Sequence, residues 1–393
     1  MSQDENWTEV LDEQVEDLNF ETDEILACIP VDEADEVAGQ EEEWLSVGAA
    51  ERDDSCVTFS YHSGDVFSTS LRGNLAVSGG EDDKAFVSDV IKSELLLTCT
   101  GHSDSVTAVA FNSSGSLLAT GDMSGRVQVW DMSSMLLSSS FDQATELQWL
   151  CWHKSADILL VGAGDGMIWM WLVPNDHVRV CVGHGASCTV GALLYDGKRL
   201  VAGYSDSLLK IWHLKDQTGE AVAGPAAHTA AVTCLDLHPS QPLGVSGAED
   251  GTVALFHTDS GKISNLFRVG AVSAELESNS IESVAFCAAE PWLAVATVQG
   301  LVTMFDLNSL VPRHQLMHEA GLVKVVWLSS DCLLTAALDG ILRLWNCRSG
   351  KMVSELVGHV GAILDFSVSD SRVLTGSSDK TVKLFTLPSA GDC

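Results

Sequence analysis

Residues 101–131 read GHSDSVTAVAFNSSGSLLATGDMSGRVQVWD, and their interpretation decides the fold. Gly101-His102 opens the stretch, Val106 to Phe111 has the pattern of a short apolar strand, and a Ser-Gly turn leads to a second strand from Leu117 to Thr120. Met123-Ser124-Gly125 makes the next turn, and a third strand ends at Val129-Trp130-Asp131. Such a meander has one face to bury and cannot stand alone in water. Its meaning depends on whether the chain repeats it.

The repetition can be counted on the aromatic that closes each unit. Ser88, Trp130, Trp171, Trp212, Phe256, Phe305, Trp345 and Phe385 follow one another at a steady interval, stretched mainly between Phe256 and Phe305, which makes eight units. Six residues upstream stand Asp82, Asp165, Asp206, Asp250, Asp339 and Asp379, with Ser124 and Gln299 in the other two units. A histidine precedes the aromatic at a nearly fixed offset at His62, His102, His184, His228, His318 and His359. A period of about 40 residues with Gly-His, Asp and Trp-Asp landmarks resembles the WD40 repeat, which builds one four-stranded propeller blade per repeat. The Asp can accept hydrogen bonds from the His and nearby backbone, and the aromatic can donate to or cover that network. A buried polar cluster is stable only when fully satisfied, so these residue types travel together.

The expected fold is therefore all-β, a WD40 propeller of eight blades spanning residues 55–388. A last strand at Val382 to Thr386 leaves too little chain for its own neighbour. Cys56 to Tyr61 should supply it and close the ring, since an open sheet would expose an edge. Residues 1–54 hold 20 acidic residues against the single Arg52 and read as an acidic disordered tail, interrupted by apolar islands at Phe20 to Pro30 and Trp44-Leu45. Residues 389–393 form a short C-terminal tail. Three departures from the pattern predict local trouble. Ser88 leaves blade one without its aromatic wedge, the sixth unit lacks both His and Asp and could be irregular, and Asn265 to Ser283 reads as an extended loop.

Composition bounds the function. The net charge is −34, made of −19 in residues 1–54 and −15 in the rest. Nucleic acids and anionic membranes both need basic surface, so neither is expected as a partner. A protein with a basic segment is the natural complement. The eleven cysteines show no Cys-x-x-Cys pair and are expected as buried free thiols in a reducing compartment. The acidic N-terminus lacks a signal-peptide pattern, and no apolar run reaches a membrane span, which leads to a cytoplasmic protein with the nucleus as a second compartment. The sequons at Asn6 and Asn112 should then be unused, and a monomer is expected.

Enzymatic readings find no support. Gly162-Ala163-Gly164-Asp165-Gly166 falls in a hairpin turn without a following helix or Gly-Lys-Ser. No serine lies in a Gly-x-Ser-x-Gly elbow, and the histidines and aspartates in phase with the repeat should be structural pairs, one per blade, rather than metal ligands. No cofactor is expected. Partner-binding candidates are the acids in turns expected at one rim, Asp65, Glu81, Asp104, Glu146 and Glu249, with Asp365, Trp149 and Tyr204 as neighbours.

A closer resemblance rests on Asp53-Asp54-Ser55-Cys56-Val57-Thr58-Phe59, on Val77 to Val87 through Gly79-Gly80-Glu81-Asp82-Asp83-Lys84-Ala85-Phe86, on Ala119 to Gly125, and on Asp196-Gly197-Lys198-Arg199. These runs resemble the angio-associated migratory cell protein family. The resemblance implies kinship with a fungal eight-bladed propeller that chaperones a new large-subunit ribosomal protein by holding its basic N-terminal segment. It also implies an alternative, a signalling scaffold in cell migration and angiogenesis. A heparin-binding role attached to some members is not carried over, because no basic cluster is present.

Overall fold

The computed structural model describes residues 52–175, 177–223, 227–269 and 279–388. They form eight four-stranded antiparallel sheets with strands in chain order inside each sheet, except that the sheet of residues 363–386 takes its fourth strand from Val57–Phe59. The first strands of neighbouring sheets contact one another around the ring, so the sheets are the blades of an eight-bladed propeller. The acidic tail, its islands at Phe20 to Pro30 and Trp44-Leu45, and residues 389–393 lie outside the described residues.

Strand burial follows position in the blade. Ile158–Ala163, a second strand, is buried at every residue, while Thr218–Ala221, an outermost strand, is exposed at every residue. The core lies between blades rather than within them. Ala119, Val127 and Val129 of blade two pack with Leu159, Val161 and Trp171 of blade three, and Val77, Ala85 and Val87 of blade one pack with Val109, Leu118 and Trp130 of blade two. Each large side chain so buried contributes about 1.5–3 kcal/mol, available only when the neighbouring blade is present.

A belt of polar contacts repeats the linkage near the axis. The Val109 amide donates to Ser68 Oγ, Trp152 Nε1 to the Ala110 carbonyl, Thr189 Oγ1 to the Val232 carbonyl and the Phe286 amide to Asp236. The Val325 amide donates to Ser283 Oγ, Lys324 Nζ to Asp365, and the Thr69 amide to Asp365. At the remaining junction the Trp149 indole lies against Gly162 of blade three and Gly191 of blade four, where a side chain on either glycine would collide with the ring.

Ring closure matches the sequence expectation. Val57, Thr58 and Phe59 pair with Leu384, Lys383 and Val382. Asp54 exchanges hydrogen bonds with both backbone groups of Val357, and Asp53 pairs with Lys383. Two of the predicted irregularities are absent. In blade one Ser88 is buried, and the ring of Phe86, two residues earlier, sits edge-on against His62 at 4.7 Å. Blade six is a complete sheet, Ile281–Phe286 to Val311–Met317. The anticipated loop is shorter than read, because Lys262–Arg268 and Ile281–Phe286 are strands. Eight of the described cysteines are free thiols, six of them buried. No helix among the described residues is long and apolar enough to cross a membrane.

Candidate interaction surface at one end of the propeller

Antiparallel order places the start of each first strand and the turn between second and third strands at the same end of a blade, here termed the upper end. The Glu81 amide donates to the Asp65 carbonyl, Met123 to Ser105, Glu249 to Ala231 and Ser378 to Ala362, tying those two loops together. This end holds the repeat histidines. His62 contacts Asp82 at 2.9 Å and Ser78 at 2.8 Å; His102 contacts Asp122 at 3.1 Å and Thr120 at 2.8 Å; His359 contacts Asp379 at 2.8 Å and Thr375 at 2.7 Å. Trp130 Nε1 and Trp345 Nε1 donate to Thr120 and Thr335. In blade two the partner is Asp122, so Ser124 does not mark a missing carboxylate. It donates to Asp122 instead.

Other blades solve the same problem differently. His228 bonds Thr252 and Ser246, with Asp250 accepting from the Thr229 and Thr252 amides. His318 bonds Thr335, and Asp339 pairs with Arg343. Blade three has no histidine at the repeat position; Asp165 accepts from the Met167 amide, and Trp171 stacks on Phe141 at 4.7 Å. In blade four Tyr204 is completely buried, and its hydroxyl accepts from Trp212 Nε1. His184 is left half-exposed, bonded to Asp206 at 2.8 Å and accepting from Lys210 Nζ.

Burial lowers His62, His102, His228 and His318, pushing the last two down to about 4. Burial alone would raise the carboxyls, but hydrogen bonds outweigh it. Donors from Thr229 and Thr252 hold Asp250 at about 2, and His359 holds Asp379 below the usual range. At His228 a neutral imidazole therefore lies in the same cluster as an ionised Asp250, a structural arrangement.

The sequence-predicted partner residues divide into two groups. Glu81, Asp104, Glu146 and Glu249 are exposed in upper-end loops and Asp65 is half-buried there. Asp65 is raised by burial and by the neighbouring Glu81 carboxylate. Asp83, Asp142 and Asp206 are exposed at the same end. The remaining three are committed to the fold. Tyr204 is inaccessible, Trp149 is wedged between blades three and four, and Asp365 is held by Thr69 and Lys324. Trp149 and Asp365 stand on first strands and not in turns.

The sequence reading missed a ring of bulged residues. Phe67, Thr107, Gln148, Thr233, Glu282, Val323 and Leu364 each sit where the first strand slips register against the second, one residue after its opening apolar side chain. All are half-buried, at the upper ends of the innermost strands. That fixed offset from the buried opening residue was visible in the sequence. Bulges commonly re-aim a side chain beside a functional site. Among the described residues no group of three or more His, Cys, Asp or Glu could hold a metal ion.

The fold and its polar clusters define an eight-bladed WD40 propeller. Residues 93–131 and 175–213 match the WD domain, G-beta repeat family, and residues 195–392 match the N-terminal domain of the nucleolar protein 10-like family. The chain is 40% identical to the angio-associated migratory cell protein of Homo sapiens over 369 residues, 88% of this chain and 85% of the relative. It belongs to the angio-associated migratory cell protein family. It is also related to ribosome assembly factors, being 25% identical to the ribosome assembly protein SQT1 of Saccharomyces cerevisiae over 89% of this chain and 88% of that protein. The crystal structure of Chaetomium thermophilum Sqt1 bound to the N-terminus of the ribosomal protein L10 superposes with a TM-score of 0.76, at 23% identity, over 85% of this chain and all of that one.

Proposed function

We propose that the upper end is a non-catalytic binding surface that captures a basic segment of a partner protein, as an assembly chaperone does for a ribosomal protein. The observation that carries this reading is the set of exposed carboxylates at one end, Glu81, Asp83, Asp104, Asp142, Glu146 and Glu249, spread over blades one, two, three and five. Asp142 alone of these has a basic partner among the described residues, Arg126. Exposed carboxylates are inexpensive to keep in water and become favourable when a cationic chain replaces their counterions. Kinship with ribosome assembly factors supports the choice of client class, and the cytoplasm and nucleus are where such a client would be met.

The test is binding of a basic peptide, such as the N-terminal segment of a large-subunit ribosomal protein, at rising salt. Affinity should fall steeply between about 50 and 500 mM as screening shortens the range of the carboxylate field. The double substitution Glu81→Lys and Glu146→Lys should weaken binding at least tenfold at the lower salt and narrow the difference at the higher. Unchanged binding by the double variant, with its fold intact, refutes the reading. The family relationship also admits a second role, a signalling scaffold for cell migration; recovery of partners that survive the double substitution would favour it.

A further inference from the structure

The upper end is not uniformly acidic. On blades seven, eight and one its inner ring is apolar, with the bulged residues Val323, Leu364 and Phe67 all half-buried. These three are neighbours in space. Lys324, next to Val323, and Thr69, two residues after Phe67, both bond Asp365, which follows Leu364. Outside this arc Val360 is 43% exposed and Tyr61 is 37% exposed. Two lysines border it, Lys380 on blade eight and Lys84 on blade one, both exposed and neither with an ion-pair partner among the described residues. Asp379 is bonded to His359 and Asp82 to His62, while Asp65, Glu81 and Asp83 of blade one bring the acidic surface up to the edge of the sector, with Asp65 near Lys380 and Asp83 beside Lys84 in sequence. The sector therefore offers apolar surface and two cationic heads within an otherwise acidic end.

The chain itself contains a segment of complementary chemistry that starts nearby. Asp54 is pinned to Val357, which directly follows the strand Lys351–Leu356 where that strand reaches the upper end between blades seven and eight. Ten residues before Asp54 stands Trp44, in the run Glu41-Glu42-Glu43-Trp44-Leu45. Ten residues of extended chain span about 35 Å, which reaches the sector from the Asp54 anchor. The outer edges of blades two to five lie on the far side of the ring from that anchor. The other apolar island, Phe20 to Pro30, is more than twice as far from Asp54 along the chain, and reach does not discriminate among its possible sites.

We infer that Glu41-Glu42-Glu43-Trp44-Leu45 docks on the sector formed by Val323, Val360, Leu364, Phe67 and Tyr61. Trp44 and Leu45 cover the apolar arc, and the three glutamates meet Lys380 and Lys84. The segment thereby occupies one side of the upper end and leaves the carboxylates of blades two to five open. This inference does not depend on capture of a basic partner, and either can fail without the other.

The test uses the full-length chain with the photoreactive amino acid benzoylphenylalanine incorporated at position 44. On irradiation, mass spectrometry should find intramolecular crosslinks on peptides containing Val360, Leu364, Phe67 or Val323. In the same chain Val360→Glu, at an exposed position where folding is not at risk, should lower the crosslink yield roughly tenfold, and thermal unfolding unchanged by Val360→Glu verifies the fold. Crosslinks on outer strands, crosslinks only to a second copy, no crosslinks, or a yield insensitive to Val360→Glu would each overturn the inference. Binding of a basic peptide, measured on the same samples, reports separately on the proposed function.

Discussion

Thr120 and Val161 occupy the same place in successive blades, ten residues before the closing tryptophan, and make opposite predictions. Thr120 Oγ1 contacts His102 Nε2 at 2.8 Å and accepts from Trp130 Nε1 at 3.2 Å, all within a buried cluster. Thr120→Val keeps the shape and removes the hydroxyl, stranding two polar groups. Each stranded group costs about 1–3 kcal/mol, so the expected loss is about 2–6 kcal/mol, above the ~1 kcal/mol of an average substitution. In blade three the situation is inverted. Val161 is buried, and the Trp171 Nε1 beside it has no acceptor. A hydroxyl there can donate to the backbone, as Thr335 and Thr375 do to the carbonyls of Arg343 and Lys383. Val161→Thr should leave stability unchanged or raise it by up to about 1 kcal/mol, the net value of one hydrogen bond. Urea unfolding of the two variants beside the parent chain measures both shifts. If Thr120→Val costs less than about 1 kcal/mol, or Val161→Thr costs as much as Thr120→Val, the account of the clusters as satisfied networks is wrong.

Three further outcomes are expected. Ser88→Trp, which restores the consensus aromatic, should destabilise the chain by about 1–3 kcal/mol through overpacking, because Phe86 already covers His62; a gain in the thermal midpoint would show that the site was empty. His228 and His318, at about 4 in the fold against 6.5 ordinarily, bind fewer protons folded than unfolded between those values. Their contribution is complete above pH 6.5 and is lost as pH falls toward 4, so unfolding midpoints should drop across that window, and a flat profile would contradict it. Asp54→Ala removes the carboxylate acceptor of the Val357 amide; amide exchange should rise in Val57–Phe59 and Val382–Thr386 while Leu117–Asp122 stays protected, and uniform change across all three would argue against a local clasp.

The architecture was legible because it is written in period. Eight phased copies fix the blade count even where Ser88 or Gln299 breaks the pattern, and the strand without a partner at residue 382 asks for one at residue 57. What the pattern hides is substitution by a different residue at a different offset. Phe86 takes over from the missing Trp at 88 and Tyr204 fills the buried position below Trp212, because only total volume and hydrogen bonding need be conserved. Asp122 escaped notice because it stands two residues before the usual place yet reaches the same His102 nitrogen. The exposed acids were readable from turn chemistry, whereas Asp365 and Trp149 were not, since their environment is supplied by neighbouring blades. Phe67, Val323 and Leu364 show a third kind of blindness, in which a one-residue register slip decides where a side chain goes.

Closure by Val57–Phe59 has a consequence for synthesis. The strand that completes the last sheet is made among the first and meets its partner only after the Cys56-to-Leu384 separation of 328 residues has been translated. At about 5–20 residues per second that wait lasts roughly 16–66 s. Until then blades one and eight have no shared boundary, and Asp365 has no Thr69 amide to hold. The closed ring therefore forms only after Val382–Thr386 has been made, so closure comes after all the other blades have their strands.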